Sequence, residues 1–214
     1  MISKTVLIGA GFSSAVLSKK IKNNNLIIYD KGRAAGGRSS TRRVDSVGFF
    51  DHGLQFISPK EKEFELFLHH YLMSSVKEWK GEFFLFEQNR RIEKKKYIGK
   101  SGNNDFVKDL ISTNVYYQKE LLSIKRASNK WFLEFADNSK DECEKLILSI
   151  PLEQCQKIIL PLNLDLKVIG SMEPNLTTMV GFDKSLGIPA NGFKFEKNSI
   201  LGWAANESSK IRSE

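Results

Sequence analysis

Lys4-Thr5-Val6-Leu7-Ile8-Gly9-Ala10-Gly11-Phe12-Ser13-Ser14 is the stretch on which the fold turns. Residues 4–8 form a compact apolar run, β-branched and of strand length, so they read as a buried strand. Gly9-x-Gly11-x-x-Ser14 follows and opens a helical stretch that runs to about Lys22. Asn23-Asn24-Asn25 signals a turn. Leu26-Ile27-Ile28-Tyr29 is a second buried strand, ending at Asp30. Strand, glycine turn, helix and strand in this order predict the βαβ unit of a parallel sheet.

The same spacing carries chemistry. Gly9 permits a tight turn, and Gly11 lets the backbone approach a pyrophosphate with no Cβ in the way. The helix N-terminus then offers N–H groups and the positive end of a dipole. Ser13 adds a hydroxyl donor. Ser14 stands where a third glycine is usual, and its small side chain still allows close helix–strand packing. Asp30 ends the second strand about 20 residues after the turn, where a carboxylate accepts hydrogen bonds from the ribose hydroxyls of adenosine. Together these features predict dinucleotide binding.

The next segment, Asp30-Lys31-Gly32-Arg33-Ala34-Ala35-Gly36-Gly37-Arg38, bears on which dinucleotide. A nicotinamide enzyme has no need of a second Gly-Gly-Arg just past the ribose acid. Large flavin enzymes bring such a turn and its guanidinium to the pyrophosphate. Arg38 can make bidentate, charge-assisted bonds to phosphate. FAD is therefore the expected cofactor. Gly9, Gly11, Ser13, Ser14, Asp30, Lys31, Gly37 and Arg38 are its candidate ligands.

Beyond this point the patterns alternate between helix and strand. Residues 61–79 carry Phe64, Phe67, Leu68, Tyr71 and Leu72 at helical spacing. His69 and His70 are adjacent on that helix and point apart, so no metal site is expected. Phe83–Phe86 and Arg91–Lys95 suggest a hairpin. Asn103 to Ile111 reads as a helix with Asn103 or Asn104 as its cap. Val115–Arg126 and Lys130–Phe135 read as strands joined at Ser128-Asn129. Lys145–Ile150 is a buried strand stopped by Pro151, with a short helix after it. Asn175–Phe182 and Ile200–Ala205 are further expected strands.

Phe50-Asp51-His52-Gly53-Leu54-Gln55-Phe56-Ile57 makes a resemblance specific. With the βαβ start and the Gly-Gly-Arg segment, it resembles the flavin-containing amine oxidase superfamily, and within it the renalase-like branch. Tyr97-Ile98-Gly99, Leu146–Pro151, Met179–Asp183 and Trp203–Lys210 look similar to that branch too, so the resemblance covers nearly the whole chain. It implies an α/β fold: a Rossmann-like FAD-binding domain with a parallel sheet, interleaved with a β-sheet-plus-helix substrate domain. The expected bounds are 1–60 with 98–152, and 61–97 with 153–214. It further implies that Ser13, Arg38, Gln55 and Phe56 touch FAD, with Asp30 on the ribose and the backbone of Leu121 at the adenine. The reaction it implies is hydride transfer from a reduced substrate to flavin, which oxygen reoxidises with peroxide as product. The implied small-molecule substrate is an isomeric dihydronicotinamide nucleotide, or next an amine. The flavin does this chemistry, so no catalytic side chain is assigned. His52 is expected to be structural, and Trp79 and Trp203 to pack in the core. The family's chains continue past the Asn206–Lys210 stretch into a motif that holds the flavin end. The chain is accordingly expected to lack a C-terminal part, leaving open sheet edges and uncovered apolar surface. A nucleotide-binding module without catalysis is the rival class.

Composition narrows the setting. The 214 residues are 41% hydrophobic and 27% charged, near globular averages. The net charge is +8, from 33 basic and 25 acidic residues. The densest basic cluster, Arg90, Arg91, Lys94, Lys95 and Lys96, is flanked by acids and reads as a solvated face. No aromatic–basic platform supports a nucleic-acid partner. The apolar start is too short for a membrane span or a signal core. Cys143 and Cys155 read as packed free thiols, which points to a reducing compartment, and a cytoplasmic location is expected from the absence of a signal segment.

Overall fold

The computed structural model describes residues 3–21, 25–163 and 170–212. In chain order the strands and helices are β1 Thr5–Ile8, α1 Phe12–Lys20, β2 Leu26–Tyr29, β3 Thr41–Val44, β4 Gly48–Asp51, α2 Lys62–Tyr71, β5 Val76–Glu78, β6 Phe83–Leu85 and β7 Arg90–Arg91. There follow β8 Tyr97–Gly99, α3 Asp105–Lys108, β9 Asn114–Tyr116, β10 Leu121–Ala127, β11 Lys130–Phe135, β12 Lys140–Cys143, β13 Lys145–Leu148, α4 Leu152–Ile159, β14 Gly192–Lys194 and β15 Trp203–Ala205. The chain divides into two compact units, Met1–Gly37 with Val107–Leu176 and Arg38–Phe106 with Thr177–Glu214.

The first unit holds the parallel sheet, in the order β13-β1-β2-β9. Thr5 to Ile8 pair in register with Lys145 to Leu148 on one side and Leu26 to Tyr29 on the other. All four residues of β1 are buried, which explains its unbroken apolar run. Helix α1 buries Ser14, Ala15 and Ser18. Small side chains on that face bring a helix close to its sheet. An antiparallel sheet, β10-β11-β12, completes the unit. Val6, Ile8, Leu121, Ile124, Leu133 and Phe135 share one core, and Ile158 of α4 packs into it. Helix α4 and residues 107–113 belong to this unit, and Ser112 N–H donates to Ser18 Oγ of α1 at 3.1 Å.

The second unit contains the mixed sheet β15-β14-β6-β7 and two ribbons, β3-β4 and β5-β8. Its core is Trp79, Phe83 and Ile98, with Phe56, Ile92, Trp203 and Ala205 against it. Residues 38–60 group with it through the β3-β4 ribbon and the hydrogen bonds of Asp51 to Thr41 and Lys210.

Several elements differ from the sequence expectation. The strand expected over 115–126 is two strands in two sheets, broken where Gln118 adopts φ +56°. The helix expected over 61–79 stops at Tyr71, and Val76–Glu78 pairs with β8. The helix expected over 103–111 shrinks to α3. Asn103 is spent elsewhere, accepting from Gly99 N–H at 2.9 Å and donating to the Leu54 carbonyl at 2.6 Å. The hairpin strand expected over 91–95 is only Arg90–Arg91. No regular structure forms over 175–182, because no described strand pairs with it. Strands β3, β4, β12 and β14 were not foreseen. In the turn expected at 23–25, Asn23 and Asn24 lie outside the described residues.

Candidate dinucleotide-binding site

In the first unit, the carboxyl ends of β13, β1 and β2 lie side by side because the strands are parallel and in register. Ligands of open α/β sheets bind beyond such ends. Gly9 N–H donates to the Tyr29 carbonyl at 2.8 Å, and Ser149 N–H to the Ile8 carbonyl at 2.8 Å. Gly9 has φ +102°, and a Cβ on it would stand 2.8 Å from the Ser149 carbonyl oxygen. Both conformation and space therefore demand glycine there.

Gly11 is glycine for a different reason. It caps α1 with φ −91°, a conformation open to any residue, and no side chain caps the helix. A Cβ on it would meet nothing within 4 Å. The chain itself thus leaves space against the helix N-terminus. Gly37, at φ +53°, comes so near that its Cβ would stand 3.4 Å from the Gly11 Cα. Gly36 N–H donates to the Ala10 carbonyl at 3.0 Å. The two glycine segments meet backbone to backbone. Ser13 is exposed in the first turn of α1, whereas Ser14 is fully buried and its hydroxyl has no partner. Ser14 is a packing residue.

Asp30 is locked onto the turn. Its Oδ2 accepts from Ala10 N–H at 2.6 Å and its Oδ1 from Gly32 N–H at 2.6 Å. A carboxylate has further lone pairs for ribose hydroxyls. Gln118 N–H donates to the Gly32 carbonyl and Lys119 N–H to the Asp30 carbonyl, each at 2.9 Å. These bonds run residues 118–121 alongside Asp30 and place Leu121 at the start of β10. Lys31 is exposed, 3.9 Å from the Glu120 carboxylate, and such a pair adds little stability. The arrangement can hold a pyrophosphate at the helix N-terminus and a ribose at Asp30.

The second unit carries the other expected residues. Arg38 is exposed, and its carbonyl accepts from Leu54 N–H at 2.8 Å. A Cβ on Gly53 would land on that carbonyl. The Asp51–Leu54 turn is therefore built against the Arg38 backbone. Gln55 donates to the Asp51 carbonyl, and its Oε1 is buried without a partner. Phe56 packs against Trp203 at a ring separation of 5.0 Å. His52 is exposed. Trp79 is core and donates to Ser209 Oγ at 3.0 Å.

Two charged features escaped the sequence reading. Lys210 is buried with Nζ 2.7 Å from both Asp51 Oδ2 and Glu207 Oε1. Arg212 also pairs with Asp51. Burial raises the Asp51 pKa, but Lys210 and Arg212 outweigh it and hold the carboxyl below its ordinary range. Burial pushes Glu207 up, and Lys210 only partly offsets that. No local pattern signals that residues 51 and 210 meet. Lys96 is the second feature. It was read as part of a solvated basic face, and that reading holds for Arg90, Arg91, Lys94 and Lys95 but fails for Lys96, which is buried. Among the described residues no three His, Cys, Asp or Glu could hold a metal, and no helix is long and apolar enough to cross a membrane.

These features define an α/β protein with a parallel sheet and a Rossmann-like dinucleotide-binding domain. The family of NAD(P)-binding Rossmann-like domains matches residues 7–71. Among solved structures, a provisionally assigned protoporphyrinogen oxidase from Exiguobacterium sp. 255-15 shares the fold with a TM-score of 0.65 at 9% identity, over 98% of this chain and 74% of that one. Wild-type putrescine oxidase bound to putrescine gives a TM-score of 0.56 at 11% identity, over 73% of this chain and 60% of the other. A conjugated-linoleic-acid (CLA)-producing fatty acid isomerase from P. acnes gives 0.55 at 10% identity, over 72% and 60%. The chain thus spans about three fifths to three quarters of the length of these structures.

Proposed function

We propose that the protein is an FAD-dependent oxidoreductase of the renalase-like branch of the flavin-containing amine oxidases. Its substrate is a reduced small molecule, an isomeric dihydronicotinamide nucleotide, and oxygen is the final acceptor. The observation that carries this reading is the cradle of the first unit: open space at Gly11, a helix N-terminus beside it, and Asp30 fixed on the glycine turn. Those residues fit the ADP half of FAD. Bound there, FAD would supply the redox chemistry. The chain's own part is to bind and orient: α1 at the pyrophosphate, Asp30 at the ribose, the Leu121 backbone at the adenine. Arg38, Gln55 and Phe56 are assigned to FAD by the family resemblance, and the buried unpartnered Oε1 of Gln55 is consistent with that assignment. A cytoplasmic setting belongs to the same reading.

The test is the visible spectrum of the purified chain after adding FAD and desalting, with Gly11→Val in parallel. The wild type should retain flavin. Gly11→Val should still melt cooperatively, because a Cβ at this position meets no protein atom within 4 Å, yet lose FAD at least tenfold. Colourless wild-type protein, or equal retention by the variant, overturns the cofactor assignment. Flavin-loaded protein that consumes no oxygen with dihydronicotinamides or amines is a binding module without catalysis.

A further inference from the structure

Four rings of the second unit form one cluster. Phe83 meets Trp79 edge-on at 4.8 Å and stacks with Trp203 at 6.3 Å. Phe56 lies 5.0 Å from Trp203 and 6.2 Å from Trp79. Two buried ammonium groups touch this cluster, and they differ. Lys210 stands 4.8 Å from the Trp79 ring but is neutralised by Asp51 and Glu207. Lys96, 3% exposed, has its Nζ 3.9 Å from the Phe83 centroid and 5.4 Å from that of Phe56. Its hydrogen bond goes to the Lys94 carbonyl at 3.1 Å, and among the described residues no carboxylate pairs with it.

Buried lysines are ordinarily paired with a carboxylate. An ammonium seated on ring faces is the way proteins bind alkylammonium ligands. A second polar group of the cluster, Trp203 Nε1, is buried without an acceptor. A plain apolar core would carry neither. We propose that Lys96 is a tethered alkylammonium that fills an aromatic cage from within, and so makes the cluster refuse free amines. Resting on the proposed oxidoreductase activity, the consequence is a substrate class: a molecule taken against Phe56 is uncharged or anionic, not an amine. Burial pushes the Lys96 pKa down to about 8, and the Lys94 charge adds to this.

The experiment compares wild type, Lys96→Ala and Lys96→Met with n-propylammonium chloride, against equal 1-propanol and sodium chloride. The readouts are the melting temperature and tryptophan fluorescence. Lys96→Ala should melt lower and be restored saturably by propylammonium, at least tenfold more tightly than by propanol. Wild type and Lys96→Met should show no saturable response. An equal response of Lys96→Ala to propanol, or saturable amine binding by the wild type, overturns the proposal. If Lys96→Ala does not fold, the Cε protons of wild-type Lys96, assigned by their loss in Lys96→Met, decide it by NMR. Ring faces should shift them upfield, and unshifted protons overturn the proposal. None of these readouts needs FAD, so failure of flavin binding and failure of the cage are told apart.

Discussion

Ser14 and Gly53 show how differently two small residues are held. The Ser14 hydroxyl is buried without a partner, so removing it removes an unmet desolvation cost. Ser14→Ala should raise stability by about 1 kcal/mol in urea unfolding. Gly53 is pinned by backbone, since any Cβ meets the Arg38 carbonyl. Gly53→Ala should cost about 2–4 kcal/mol in the same measurement. Lys96 adds a pH dependence. Its folded pKa is depressed, so the unfolded chain holds that proton more tightly, and below about pH 8 this weakens folding. The stability of the wild type relative to Lys96→Met should therefore rise between about pH 8 and 10.5. A flat difference across that range would mean the ammonium is not desolvated.

At the scale of elements, the turn between β10 and β11 is strained by its residues. Ser128 and Asn129 both have positive φ, at 48° and 65°, the pattern that favours Asn-Gly. The double change Ser128→Asn with Asn129→Gly should stabilise by about 1 kcal/mol, read as a higher urea midpoint with unchanged slope. The break between β9 and β10 matters more for the site. Both halves look like strand, and only the reversal at Gln118 sends one into the parallel sheet and the other into the antiparallel sheet. That reversal delivers Gln118 and Lys119 to the carbonyls of Gly32 and Asp30.

Across the molecule, order is uneven. Leu176 is 97% exposed, and Val180, Phe182 and Leu186 are exposed on a segment without regular structure. Backbone without ladder partners opens readily to proteases. Limited trypsin digestion should cut early at the exposed Lys184, before Lys19 and Lys20 of α1. A first cut within α1 would contradict the described packing of that helix. The two contact units interleave in sequence. Residues 38–60 follow the cofactor motifs in sequence, but their bonds lie with Asn103, Lys210 and Arg212.

The βαβ unit, the glycine turn and the acid at Asp30 are legible in the residues alone, because strand, turn and helix there are set by local sterics and hydrophobic period. The two-residue turn at Ser128-Asn129 and a strand beginning at Lys145 were legible for the same reason, although that strand ends at Leu148, short of Pro151. Where half-buried segments went was settled by their tertiary neighbours: the split of 115–126, the non-strand course of 175–182, and the β3-β4 ribbon. Such strands are specified by their neighbours rather than by their own residues. The buried charges belong to the same class. Lys96 belongs to a basic cluster that reads as a solvated face, and Lys210 closes a polar stretch that carries no burial signal. What buries them is a cluster of rings and carboxylates drawn from residues far apart in the chain, and no local pattern encodes that meeting.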